Sequence, residues 1–376
     1  MKDPRNETLA NILLTYSADL QPGEKIMLDI RGKDTLGLAQ EVIRKATEMG
    51  GIPFWYYNDP SLIRPWIQAA TEEQFQAFGQ VHLKLMKEMD AWLCLNGPDN
   101  PFELADVGSV QLQLYRRLYT GPVHLQERVR NTKWCILNYP TDSMAQLAEM
   151  SREAFEDYYY EVCCLDYASM SRAMDPLVEM MKKTDQVRIV APGTDLTFSI
   201  RGIPAVKCDG KYNLPDGEVF TAPVRDSVNG HIQFNVPLLE RGILFRDIKL
   251  EFQEGKVVHA SCQGDTKTLK EVLGVDEGAR YAGEFALGVN PFIVRPMKDA
   301  LFDEKIAGSL HVALGNCDEE TPNGNESALH MDIVLDQREE QGGGEIYFDG
   351  ELVRQDGRFV DERLERSLSA EALRYR

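Results

Sequence analysis

TDQVRIVAPGTDLTFSI, residues 184–200, divides the chain into two kinds of sequence. VRIVA and DLTFSI alternate apolar and polar residues on either side of a Pro-Gly break, as half-buried strands do. Upstream, strand-like runs are separated by helical ones. KIMLDI (25–30), IPFWYY (52–57), AWLCLN (91–96) and KWCILNY (133–139) read as strands, and 5–19, about 34–48 and about 109–129 carry helical spacing. Such alternation predicts a mainly parallel sheet covered on both faces, a Rossmann-like α/β domain. Residues 142–183 read as one long helical region, whose Tyr158, Tyr159, Tyr160 and Tyr167 read as packing residues. Downstream, HIQFNV, DIKLEF, KVVHAS, LHVALG, ALHMDIV and EIYFDGELV repeat the alternation; EFQEGKVVHA reads as a hairpin and only 265–274 as helix. The expected architecture is an α/β N-terminal Rossmann-like domain with a long helical connection over 1–184, then a mostly antiparallel β (α+β) domain over 185–376.

Composition excludes several functions. The 376 residues, 43% hydrophobic and 27% charged, suit two ordinary globular domains. A net charge of −19 without a Lys/Arg cluster argues against nucleic acid as a partner. The charged start MKDPRNETLANILL lacks a signal-peptide core, and no apolar run approaches the roughly 20 residues of a membrane helix. The expected location is cytoplasmic, with no membrane partner. Cys94, Cys135, Cys163, Cys164, Cys208, Cys262 and Cys317 are scattered, odd in number and form no C-x-x-C pair. They read as free thiols, so any metal must be held by histidine and carboxylates. The first strand leads into DIRGKDTLG, without G-x-G-x-x-G, and no G-x-x-x-x-G-K-[ST] occurs. The first domain therefore reads as structural or dimerising rather than nucleotide-binding.

Chemistry gathers in the second half. In NGNESALHMDIVLD (323–336), His330 and Asp332 lie two apart on a strand and share a face. Glu218 in NLPDGEVFTAP, Glu284 in YAGEFALGVNP and His311 in GSLHVALGN also stand in apolar strand contexts. Singly, each has an ordinary reading: a solvated strand end, a helix cap, a satisfied core histidine. Together they amount to several buried charges, each costly unless paired or bound to metal, and one shared centre removes those costs together. Three carboxylates and two histidines exceed the needs of one four-coordinate ion. They suit two divalent ions bridged by a carboxylate and a water, a centre that could hydrolyse the amide at a peptide N-terminus.

DPRNETLANILLTYS, APGTDLTFSIRG, PDGEVFTAPVRDSVNG, GEFALGVNP, HVALGN, NGNESALHMD and GGGEIYFDGELV occur in this order from residue 3 to about 353. Together they resemble the thermophilic metalloaminopeptidase family, that of aminopeptidases T, S and II. The resemblance implies a homodimer, a peptide substrate with a free N-terminus, and two divalent ions (zinc, cobalt, manganese or magnesium). It places the metal ligands on Glu218, Glu284, His311, His330 and Asp332, with Glu284 bridging and catalytic. It also exposes a departure. The family's tyrosine seven residues after the strand histidine, a catalytic position, is Asp318 here. An ionised carboxylate cannot donate to an oxyanion, and losing one such donor typically costs about 100- to 1000-fold in rate. Two other readings therefore stand beside the peptidase. His311, His330 and Asp332 also form the two-His-one-carboxylate set of a mononuclear iron(II) ring-cleaving dioxygenase of hydroxylated N-heteroaromatics, to which the family looks related. The third is a specialised relative without general peptidase activity.

Overall fold

KIMLDIR is buried on both faces, as an interior strand of a covered parallel sheet must be, with Ile26, Leu28 and Ile30 on one face and Met27 and the Arg31-paired Asp29 on the other. It forms β1 (Lys25–Arg31), buried along all but its ends. In the computed structural model, which describes residues 3–240 and 242–375, the chain divides into two compact units: 1–164 with 210–215, and 165–209 with 216–376. In the first unit β1 lies between β2 (Ile52–Tyr57) and β3 (Ala91–Asn96), followed by β4 (Lys133–Asn138) and the short strand Asn213–Leu214, all parallel. IPFWYY is apolar throughout, yet as the edge strand it exposes Trp55 and Tyr57.

Two expectations are corrected. The region 142–183 is three helices, Asp142–Leu147, Arg152–Cys163 and Tyr167–Lys183. Ser151 and Asp166 restart it by accepting the backbone N–H groups of Ala154 and Ser169, the orphan donors of a new first turn. Only the last helix belongs to the second unit, so the units part at 164/165, whereas the sequence pattern changes at 184/185. In the second half, Ala300–Asp303, Glu362–Ser367 and Ala370–Leu373 are helical besides Thr266–Val272; these turns are too short for periodicity to register.

The second unit holds two sheets. One has nine strands and contains Gln186–Ala191, Thr194–Ser199 and the hairpin Ile243–Gln253/Lys256–Gln263, turned at Glu254-Gly255. The other is antiparallel: β5 (Val206–Cys208), β6 (Glu218–Thr221), β7 (Ala282–Gly288), β8 (Ser309–Gly315) and β9 (His330–Asp336), adjacent in that order. Phe285, Leu287, Val312, Leu314, Ile333 and Leu335 form the buried apolar face of β7–β9, and Phe285 meets Phe198 edge-on at 5.0 Å. Each such side chain contributes roughly 1.5–3 kcal/mol by leaving water. That layer anchors the opposite face, where the chemistry lies.

Candidate metal centre

GEFALG and LHVALG share one design. From the reactive residue onward, each strand alternates an x-A-x-G series on one face with large apolar residues on the other. Cross-strand register pairs Glu284 with Ala313, Ala286 with His311, Gly288 with Glu218, Asp332 with Ala313 and His330 with Gly315. Because side chains alternate with period two, Glu218, Glu284, His311, His330 and Asp332 all project from one face. Ala286 and Ala313 keep the side chains between them short, while Gly288 and Gly315 admit close backbone: a Cβ there would meet the carbonyl oxygens of Ile306 and Leu329 at 2.3 and 2.2 Å. An irregularity at Gly283 restarts the register just before Glu284, and a Cβ there would meet the carbonyl oxygens of Gly315 and Asn316 at 2.4 and 2.5 Å.

The histidines are oriented by main chain. His330 Nδ1 is 2.9 Å from the Asn316 carbonyl and His311 Nδ1 is 3.4 Å from that of Glu304. A carbonyl only accepts, so each Nδ1 carries its hydrogen and each Nε2 turns to the carboxylates. His311 Nε2 lies 2.9 Å from Glu284 Oε1 and 3.7 Å from Asp332 Oδ1. His330 Nε2 lies 3.3 Å from Asp332 Oδ1 and 3.9 Å from Glu284 Oε2. Glu284 thus spans the two imidazoles. Glu218 reaches His311 from its other edge, with Oε2 3.7 Å from Nδ1.

The loop before β9 is stapled by asparagine. Asn323 Nδ2 donates to the carbonyls of Pro223 and Ala282, and Asn325 Nδ2 to those of Gly278 and Gly315. The NGN of the motif thereby ties the ends of β7 and β8 together.

Without metal, these groups hold one another's protons. Burial would lower the His311 imidazolium, but the Glu284 hydrogen bond and the surrounding carboxylates push it up to about 10. Asp332 pushes His330 up to about 11. Burial would raise Asp332, yet His330 holds it well below the usual carboxylate range. Glu218, only 5% exposed, is pushed up to about 8 by burial, against the pull of Lys305.

Sequence reading missed three members, Asp216, Glu304 and Lys305. Lys305 is wholly buried, with its ammonium paired to Glu304, 3.6 Å from Glu218 Oε1 and 3.9 Å from Asp216 Oδ1. The available signal was Asp-Glu-Lys (303–305) between Phe302 and Ile306, a charge run where the flanks ask for core. Asp303 is buried and secures the segment by accepting the N–H groups of Met297 (2.6 Å) and Lys298 (2.8 Å). Asp318 is exposed, accepts the N–H of Glu320 at 2.7 Å, and lines an acidic groove with Asp276, Glu277 and Glu319. Among the described residues, no ion pair or hydrogen bond joins Asp318 to the five.

Do these donors fit a divalent ion? Glu218 Oε2 and Asp332 Oδ1 are buried and accept no hydrogen bond, a costly state for a carboxylate oxygen and one that a cation relieves. Glu218, Glu304 and His311 offer ligand atoms within 4.8 Å of one another, as do Glu284, His311 and Asp332. Oxygen and imidazole donors of this kind are those of metal-dependent enzymes using hard or borderline divalent ions.

The chain belongs to the thermophilic metalloprotease family M29, whose pattern matches residues 2–359. A divalent metal therefore belongs with the protein. Aminopeptidase 2 of Geobacillus stearothermophilus is 25% identical over 405 residues, covering 93% of this chain and 94% of that protein. Aminopeptidase T of Thermus thermophilus is 34% identical over 185 residues, 42% of this chain and 44% of that protein. Among solved structures, AmpT from Thermus thermophilus superposes with a TM-score of 0.79 at 22% identity, covering 95% of this chain and 99% of that one. A 2,5-dihydroxypyridine dioxygenase from Pseudomonas putida superposes with a TM-score of 0.61 at 13% identity, covering 96% and 98%. These likenesses establish the shared mixed α/β fold. No helix among the described residues is long and apolar enough to cross a membrane.

Proposed function

We propose that the protein is a metal-dependent aminopeptidase that hydrolyses the N-terminal residue from peptides at a dinuclear divalent-metal centre, with Glu218, Glu284, His311, His330 and Asp332 as ligands. The observation that carries this reading is charge. Glu284 and Asp332 contribute −2 beside His311 Nε2; Asp216, Glu218 and Glu304 contribute −3 on the other side, reduced to −2 by Lys305. Two divalent ions would cancel the total of −4, whereas one would leave half of it buried. The names of the curated relatives support the same activity.

Bound ions of this kind supply a hydroxide at neutral pH and polarise a carbonyl. The chain's own contribution is orientation. The Asn316 and Glu304 carbonyls fix both imidazoles, and Glu284, between them, is the proposed bridging and proton-carrying carboxylate. The cationic α-amine of a peptide fits Glu218 or the acidic loop Asp318–Glu320. That loop follows Asn316 closely in the chain. The proposal includes a cytoplasmic homodimer, a Rossmann-like first domain (1–184) and a metal-binding catalytic domain (185–376).

A second reading rests on the convergence of His311 Nε2, His330 Nε2 and Asp332 Oδ1, which alone could hold one iron(II) for oxygenase chemistry. Metal analysis of purified protein together with hydrolysis of aminoacyl p-nitroanilides separates the two. Two ions per chain when divalent metal is in excess, with release of the N-terminal residue, is expected. One iron, with oxygen consumed in the presence of a hydroxylated N-heteroaromatic, overturns the peptidase.

A further inference from the structure

Glu218 is unlike the other four proposed ligands: it already has a resident cation. Lys305 Nζ sits 3.6 Å from Glu218 Oε1, while Glu218 Oε2, in a side chain 7% exposed, accepts no hydrogen bond. Among the described residues, Glu284, His330 and Asp332 form no ion pair with a lysine or arginine; their pairs are with His311 and one another, and Lys305 reaches Asp332 only through its longer-range field. The ammonium also cannot withdraw. It is wholly buried, and its partners Asp216 and Glu304 anchor it from either side.

We propose that Lys305 makes the two cation positions unequal, so that the ion held through Glu218 binds far more weakly than the ion held through Glu284, His330 and Asp332. The proposal rests on the dinuclear reading above. Both sides carry a net −2, but a divalent ion ligated by Glu218 Oε2 would share that one carboxylate with a fixed ammonium 3.6 Å from its other oxygen, and the two cations repel in a water-poor pocket where screening is weak. Against this, Lys305 also orients Glu218, and removing such an outer partner typically costs about 10- to 100-fold in metal affinity. Repulsion prevails here because Glu218 keeps its orientation by another route. It lies on a strand between β5 and β7. Gly217 before it fits a close approach to Asn290, where a Cβ would meet the Asn290 Cβ at 2.8 Å, and Val289 N–H donates to the Gly217 carbonyl at 2.8 Å. The protein would then exist largely in a one-ion form, completing its centre only when free divalent ion is plentiful.

The test is titration of chelator-stripped, full-length protein with Co²⁺ alone, following visible absorption and heat. The wild type is expected to bind in two steps separated by at least about 100-fold. Lys305→Met should tighten the weaker step at least about tenfold and leave the stronger within about threefold, while Lys305→Arg retains the separation. Asp216→Asn approaches from the opposite side and covers the case in which Lys305→Met does not fold: with less negative charge around the ammonium, the weaker step should loosen about tenfold. Equal steps in the wild type, or a weaker step unmoved or loosened by Lys305→Met, overturn the proposal. One ion in the wild type but two in Lys305→Met would support the lysine's role while correcting the ion count. One ion in both would overturn both readings.

Discussion

Loading the centre with metal should expel about three protons per chain from side chains at pH 7, a number fixed by the contacts of those side chains, with one more wherever a bound water ionises to hydroxide. In the metal-free protein His330 and His311 hold their second protons up to about 11 and 10, and Glu218 holds its proton up to about 8. A ligand must offer a free lone pair, so an ion displaces the Nε2 proton of each imidazole and the carboxyl proton of Glu218. At pH 7 that is close to three protons; near pH 9, with Glu218 already ionised, it falls to about two. The summed affinity should therefore rise roughly a thousandfold per pH unit near neutrality and about a hundredfold per unit near pH 9. Metal-free stability should run the other way. Folded pKa values raised above the unfolded ones add stability that is complete below the unfolded values and lost as pH climbs. The windows are 4.5 to about 8 for Glu218, 6.5 to about 10 for His311 and 6.5 to about 11 for His330. Asp332, shifted downward, loses its contribution instead as pH falls below the ordinary carboxylate range. Calorimetric metal titrations in two buffers of different ionisation enthalpy give the proton count directly. A single ion on His311, His330 and Asp332 would release about two at pH 7. Fewer than one would refute the reasoning, because the imidazoles would then be neutral before metal arrives.

Two further outcomes follow from residues outside the ligand set. Arg354 is buried and donates to the carbonyls of Ser309 and Gly288, both at 2.7 Å, at the paired ends of β8 and β7. Arg354→Met should lower unfolding free energy by about 2–4 kcal/mol, from three charge-assisted bonds lost, the third from Nε to the Gly357 carbonyl at 3.1 Å, less the relief of an expensively desolvated guanidinium. Denaturant midpoints would check this, with exposed Arg358→Met expected within about 0.5 kcal/mol of wild type as the control. Asp318→Tyr restores a phenol where relatives are expected to have one, and should raise kcat on aminoacyl p-nitroanilides at least about tenfold if the missing donor limits the rate. An unchanged kcat would show that it does not.

Much of the centre was legible because its residues obey strand arithmetic. His330 and Asp332 declare a shared face by lying two apart, and Glu284 and His311 announce themselves as polar intruders in otherwise apolar strands. Glu304 and Lys305 lie on no strand at that point. Their arrival beside Glu218 depends on a loop held by Asp303 and by the backbone of Asn290, whose N–H donates to the Lys305 carbonyl at 3.1 Å, contacts between residues remote in sequence. The breaks at Ser151 and Asp166 were hidden for a different reason. Apolar spacing continues across them, and cap chemistry, which ends one helix and starts another, has no period. IPFWYY shows a third limit: periodicity reports that a strand is apolar but not whether a neighbour covers its edge.

The small residues facing the centre carry a consequence of their own. Alanine and glycine are poor strand formers, yet Ala286, Gly288, Ala313 and Gly315 occupy the middle and ends of paired strands. Valine at 286 or 313 would favour a strand more strongly and crowd Glu284 and His311, whereas at 288 or 315 any Cβ would meet a backbone carbonyl oxygen at 2.3 or 2.2 Å. Selection for stability alone would thus erode the centre while leaving every acid and histidine in place. A chain retaining E-x-x-x-x and H-x-x-x-x but with large residues at 286 and 313 would match the proposed ligand pattern while crowding the carboxylate and imidazole it depends on. The small residues beside the proposed ligands are as much part of the centre as the acids and histidines themselves.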